Sequence, residues 1–229
     1  MFYSCSSLTS LIIPNGVINI GDDEFSQCYN LTNVIIPNSV TSIGPRAFED
    51  CYLLSNITIP NRVTSIGYIA FLYCTSLNNV TFGSGVTNIA DSAFFYCTNL
   101  TGVYFQGNSP TPTNDTTVFT SDTKATVYYL QSATGWGQTF DGLPTMMWNP
   151  QAMTRDNSFG VKTNGFGFNI IGSSNLTIVV EASTNLVNSA WSPVSTNTLN
   201  TFIGTNGTAY FSDPQWTNYP GRFYRFRSP

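Results

Sequence analysis

The chain has 229 residues, enough for one or two domains with ordinary cores. It is 41% hydrophobic but only 9% charged, carries a formal charge of −4 and contains no histidine. This excludes a basic field for nucleic acid and every catalytic arrangement built on imidazole. No apolar run reaches the length of about 18 residues that a membrane span needs. Serine, threonine, asparagine and glycine fill the surface instead, a composition suited to secreted β-rich proteins.

The chain begins "MFYSCSSL" and then repeats itself. Cys5, Cys28, Cys51, Cys74 and Cys97 lie 23 residues apart. Phe2, Phe25, Phe48, Phe71 and Phe94 keep the same period, as do Leu8, Leu31, Leu54, Leu77 and Leu100. Shorter columns of valine, isoleucine and proline run beside them, from Val17, Ile20 and Pro14 onward.

Each unit reads in the same order. "LTNVIIP" places apolar residues two apart, as a short strand needs. Proline ends that strand, since it cannot donate to a ladder. "NSVTSIG" supplies a second apolar stop and a glycine turn. "PRAFEDC" spaces Ala47, Phe48 and Cys51 as one helical or 3₁₀ turn would. A single unit cannot bury these residues, but stacked units can. The expectation is a mainly β solenoid of 23-residue turns with a parallel sheet and short helical turns.

The unit "LTNVIIPNSVTSIGPRAFEDC" resembles the BspA-like (Treponema pallidum-type) leucine-rich repeats over roughly residues 1–105. The resemblance implies a right-handed solenoid and, for many family members, an adhesive role outside the cell or on its surface. One departure is Glu24, which replaces the usual alanine and follows Asp22 and Asp23. A calcium site and a solvated turn are the alternatives; the spacing lacks an EF-hand's ligand pattern and favours the turn. The cysteines are an odd number without histidine partners, so neither complete internal pairing nor a zinc site fits. A column of buried thiols is expected, with cross-rung oxidation left open.

The start falls mid-repeat, and no signal peptide is visible. Either further repeats precede this stretch or the first rung is bare, and in the second case Met1, Phe2, Leu8, Leu11 and Ile13 are a candidate assembly surface. Exposed strand residues such as Thr9, Thr32 and Asn78 are candidates for binding on the sheet face.

The period fades after Cys97. Residues 106–150 read as a cap, with "ATVYYL" a further strand and Trp136, Phe140 and Trp148 covering the last rung. Trp136 is also a candidate for stacking on a sugar. Residues 151–229 contain "GFGFNII", "LTIVVEAS", "TAYFSD" and "GRFYRFRS" as short strands, the pattern of a small antiparallel β-sandwich. This part resembles C-terminal β-modules of secreted multidomain bacterial proteins. Arg222, Arg225 and Arg227 alternate along its last strand and are expected on the solvent face.

No paired carboxylates, phosphate loop or nucleophile with its base stands out, so no catalytic residue and no cofactor is assigned. The expectation is a non-catalytic extracellular structural or adhesion protein. It is expected to associate end to end, as a filament subunit in one reading. Binding of a host or matrix protein through the sheet face, and glycan binding, are the alternatives.

Overall fold

The computed structural model describes residues 2–111, 117–163, 165–172, 177–186, 190–199 and 207–227. The chain divides into two compact units, Met1–Met146 and Met147–Pro229.

The strands of the first unit, in chain order, are β1 (Ser10–Ile12), β2 (Asn19–Ile20), β3 (Asn33–Ile35), β4 (Ser42–Ile43), β5 (Asn56–Ile59) and β6 (Ser65–Ile66). They continue with β7 (Asn79–Phe82), β8 (Asn88–Ile89), β9 (Gly102–Phe105), β10 (Thr126–Leu130), β11 (Thr139–Phe140) and β12 (Leu143–Trp148). Each of the first four turns contributes one longer strand and one of two residues. The longer strands stack as β1–β3 and then β5–β7–β9–β10–β12–β11, and the short ones as β2–β4–β6–β8. From β1 to β10 the pairing is parallel, with Val80 opposite both Ile57 and Val103, whereas β11 and β12 pair antiparallel.

The third side of each turn is not helical. Sequence spacing suggested a helical or 3₁₀ turn for "PRAFEDC"; three-residue bonds do form, but the backbone there alternates. Ala47, Glu49 and Cys51 donate their N–H groups three residues back along the chain. Arg46, Phe48 and Asp50 donate theirs to Tyr68, Ala70 and Leu72 of the next turn. Left-handed residues at Arg46 (φ 55°) and Asp50 (φ 59°) rotate the peptides so that this alternation is possible. A helix would point every N–H along its own axis and leave no ladder to the neighbour. The solenoid thus has three hydrogen-bonded faces, which satisfies the backbone groups that stacking buries.

Inside, every apolar column lies on itself. The phenylalanine rings of residues 2, 25, 48, 71, 94 and 119 form one stack, with centroids 4.8 to 5.5 Å apart. Beside it the cysteines remain free thiols. Each of Cys28, Cys51, Cys74 and Cys97 donates to the carbonyl of the phenylalanine 26 residues earlier, at 3.3 to 3.4 Å. Burial pushes these four thiols above their ordinary pKa, so they are poor nucleophiles.

The stack reaches Phe119 because a sixth turn lies inside the segment read as a cap. "VFTSDTKATVYYL" follows "AFFYCTNLTGVYF" at an offset of 25 residues at Phe119, which lies on Phe94, and of 24 in the strand, where Val127 pairs with Val103. Asp122 takes the cysteine position and is 1% exposed. Beyond this turn, Trp136, Phe140 and Leu143 pack on Phe105 and Phe119 and close the solenoid.

The second unit is antiparallel, as its alternating pattern suggested. Its strands are β13 (Gln151–Ala152), β14 (Gly160–Lys162), β15 (Gly165–Gly172), β16 (Thr177–Ser183), β17 (Ser192–Thr198), β18 (Gly207–Asp213) and β19 (Phe223–Arg227), with a 3₁₀ turn at Trp216–Asn218. One sheet centres on β15, flanked by β13, β14 and β18; the other has the order β17–β16–β19. Phe166 and Phe168 of the first sheet meet Tyr224 and Phe226 of the second, with Phe166 stacked on Tyr224 at 5.5 Å. Arg225 and Arg227 are exposed as expected, yet both heads bond the buried Glu181 of β16, at 2.7 Å. Arg222 instead pairs with the buried Asp213 at 2.9 Å.

Candidate functional site

Three surfaces of the first unit carry features that folding alone does not require. The first is the opening rung. Met1 lies outside the described residues. Phe2 stacks on Phe25 at 5.4 Å with one face and is 49% exposed, whereas Phe48, Phe71 and Phe94 are fully buried. Leu8 and Leu11 are half-buried against the core, and Ile13 is buried. Of the candidate assembly residues, Phe2, Leu8 and Leu11 therefore share an open apolar edge. β1 pairs with β3 on one side and with no other described strand.

The second surface is the sheet face. Thr9, Thr32 and Asn78 are exposed, at the bend just before each strand, and belong to one column. They take part in the ladder as well: the Thr32 Oγ1 donates to the Thr9 carbonyl at 2.8 Å, and the Thr101 N–H donates to the Asn78 carbonyl at 2.9 Å. The larger feature beside them is one the sequence reading did not single out. Ile12 and Ile35, paired in register, point outward and are 71% and 51% exposed. The same column then carries Thr58, Thr81, Tyr104 and Tyr128. Comparing this outward column down the repeats would have found the two isoleucines, since later turns place polar threonine there.

The third surface is the turn face, where Tyr29, Tyr52, Tyr73 and Tyr96 are each 36 to 40% exposed. Tyr29 and Tyr52 stack at 5.3 Å, and Tyr73 and Tyr96 lie 5.1 Å apart.

Two of the three carboxylates of the acidic run on this face hold partners within the chain. Asp23 Oδ1 accepts from Arg46 Nε at 2.8 Å, and Glu24 Oε2 accepts from the Gly21 N–H at 2.9 Å. Among the described residues no group of three or more histidine, cysteine or carboxylate side chains is placed to hold a metal ion. Glu49, on the next turn, is held above the usual carboxylate range by burial and by repulsion from Asp50.

Trp136 is half-buried in the closing layer. Its ring stacks on Tyr129 at 5.3 Å and tilts onto Phe105 at 4.8 Å, and Nε1 donates to the Gly107 carbonyl at 3.3 Å. These contacts commit the indole to covering the last rung. Trp136→Ala is expected to cost about 1–2 kcal/mol, less than for a fully buried indole. A lowered thermal midpoint of the solenoid checks this.

No described helix is long and apolar enough to cross a membrane. Residues 1–123 match the profile of the BspA type leucine-rich repeat region in six copies. No curated protein matches the chain significantly. Among solved structures, the chain is similar to a leucine-rich repeat protein from Bacteroides ovatus, with 29% identity over 56% of this chain and 34% of that one, at a TM-score of 0.46. It is also similar to the T. pallidum leucine-rich repeat protein, with 24% identity over 57% and 64% of the two chains and a TM-score of 0.48. The pneumococcal vaccine antigen PcpA aligns at 20% identity over 57% of this chain and 33% of its own, with a TM-score of 0.50, a likeness of fold. The chain thus spans less than two thirds of each of these proteins.

Proposed function

This chain belongs to the BspA-type leucine-rich repeat family, and from that premise we propose that it is a non-catalytic extracellular module joining proteins at a cell surface, which pairs end to end with a second copy. The observation that carries the pairing is the half-exposed Phe2 ring on top of an otherwise buried stack. Another rung laid over it would bury one more phenylalanine face together with the open edges of Leu8 and Leu11. An unpaired strand edge such as β1 invites the same contact through its backbone.

The geometry favours a pair over a filament. A head-to-tail chain needs both ends bare and does not close. Here the far end is covered by Trp136, Phe140 and Leu143. The contact is therefore first rung against first rung, related by a two-fold axis, and stops at two copies.

Light scattering across a concentration series tests this. The chain should move from monomer to dimer as concentration rises. Phe2→Asp should hold it monomeric while changing stability by no more than about 1 kcal/mol, because the position is half-exposed. A chain that stays monomeric throughout, or a dimer indifferent to Phe2→Asp, contradicts the pairing.

A second reading has its own observation. Ile12 and Ile35 form an exposed apolar pair on the sheet face that a further rung would leave uncovered. Apolar side chains of this size at the centre of a polar field suit the core of a protein interface. Binding of a host or matrix protein there should survive Phe2→Asp and be lost when Thr9 or Thr32 is replaced by lysine. Binding untouched by either change sets the sheet face aside.

A further inference from the structure

We propose that the turn face of the solenoid is a docking surface for a lysine- and arginine-rich polypeptide segment. This rests on the reading of the chain as a protein-interaction module, but not on end-to-end pairing.

Two independent features meet there. The first is an aromatic stripe the fold does not need. Tyr29 and Tyr52 form a stacked pair, and Tyr73 and Tyr96 a tilted one at 33°. The pairs sit on adjoining turns, since the Asp50 N–H donates to the Leu72 carbonyl and the Ser76 N–H to the Tyr52 carbonyl. Phe95 extends the stripe, with its ring edge-on to Tyr96 at 4.6 Å. Tyr73 and Tyr96 also hold left-handed backbone, at φ 58° and 60°. Earlier turns fill that same left-handed position with Ser4, Gln27 and Asp50. Small or polar residues make this turn at least as readily, since a bulky side chain at positive φ is strained by about 1 kcal/mol. The strain serves rings that remain 40% exposed at the surface.

The second feature is charge. The stacked turn segments 22–29, 45–52, 68–75 and 91–98 contain six carboxylates and one cation, a net charge of 1 − 6 = −5. Arg46, the cation, is already paired with Asp23. Half of the 12 acidic residues of the chain therefore lie along this one face.

The combination selects the partner. A field of this sign repels phosphates, which disfavours nucleic acid. Stacking on a sugar is best served by both faces of a ring, and the Tyr29–Tyr52 contact takes one face of each at an interplanar angle of 10°. What the stripe offers is ring edges and phenol oxygens beside carboxylates. Lysine and arginine match it, laying apolar stems along the rings while their heads reach the acids. Tyrosine supplies such contacts at low cost in side-chain entropy.

The test titrates the full chain with an arginine–serine repeat peptide and, as control, a glutamate–serine peptide of the same length. The arginine peptide should bind and the glutamate peptide should not. In a Tyr52→Ser, Tyr73→Asn, Tyr96→Asn variant the net charge is unchanged. Affinity should nonetheless fall about tenfold or more, with the thermal midpoint equal or higher. Undiminished binding by that variant means net charge alone is at work and overturns the proposal, as does failure of the wild type to bind. The Phe2→Asp chain should bind as the wild type does, so failure of the end-to-end reading leaves this one standing.

Discussion

Phe71→Ala is expected to lower stability by about 3–5 kcal/mol, the range for removing a fully buried aromatic ring. Phe71 sits mid-stack, 5.2 Å from Phe48 and 4.8 Å from Phe94, with no exposed surface. Two aromatic contacts go at once, each worth about 0.5–1.5 kcal/mol beyond burial. In a solenoid each turn is held only by its neighbours, so a cavity in a middle turn weakens both interfaces. For a protein of this size the thermal midpoint should fall by about 10–15 °C. Phe2→Ala removes the same atoms from a half-exposed end and should cost about 1 kcal/mol. Circular dichroism melts of the two variants compare them. Equal small losses would show that the phenylalanine stack does not couple the turns.

Asp122→Cys should stabilise the chain, and more so as pH rises. Burial pushes the Asp122 carboxyl up to about 8, and the nearby Asp141 carboxylate adds to this. The Cys97 N–H offsets it in part, yet neither carboxyl oxygen has a hydrogen-bond partner of good geometry. The folded pKa lies above the unfolded value of 3.8, so the folded state holds the extra proton between the two. Its contribution is fully present below about pH 4 and is lost as pH rises through about 8. A four-unit gap corresponds to about 6 kcal/mol at most, and relaxation with water entry reduces the loss to about 2–3 kcal/mol. A cysteine restores the neutral thiol of the other turns. At pH 8 the variant should melt about 5–10 °C higher than wild type, and at pH 4.5 the two should nearly coincide. Parallel pH profiles would mean that Asp122 is solvated or paired.

The repeat was legible because stacking forces the same residue type into the same place on every turn. Phe25, Cys28 and Leu31 already state the core of all the turns. The sixth turn was hidden by two changes at once, the two-residue shift before Phe119 and the replacement of cysteine by Asp122. The turn face was misread for a backbone reason. Spacings of three and four between Ala47, Phe48 and Cys51 fit a helix, whereas left-handed residues such as Arg46 and Ile69 carry no clear signal in their side chains. The candidate surfaces divide similarly. Phe2, Leu8 and Leu11 could be named from their columns alone. The outward Ile12 and Ile35 were passed over, because strand alternation was read for what it buries. The tyrosines escaped notice because they stand two residues apart in the repeat and meet only through the stacking of turns.

Hydrogen exchange at the first rung, followed against protein concentration, tests the pairing most directly. Amides of the segment from Thr9 to Ile13 should become protected as concentration rises, while those of β5 and β7 stay unchanged. Phe2→Asp should abolish the concentration dependence. Exchange across Thr9 to Ile13 that is identical at every concentration would contradict the pairing.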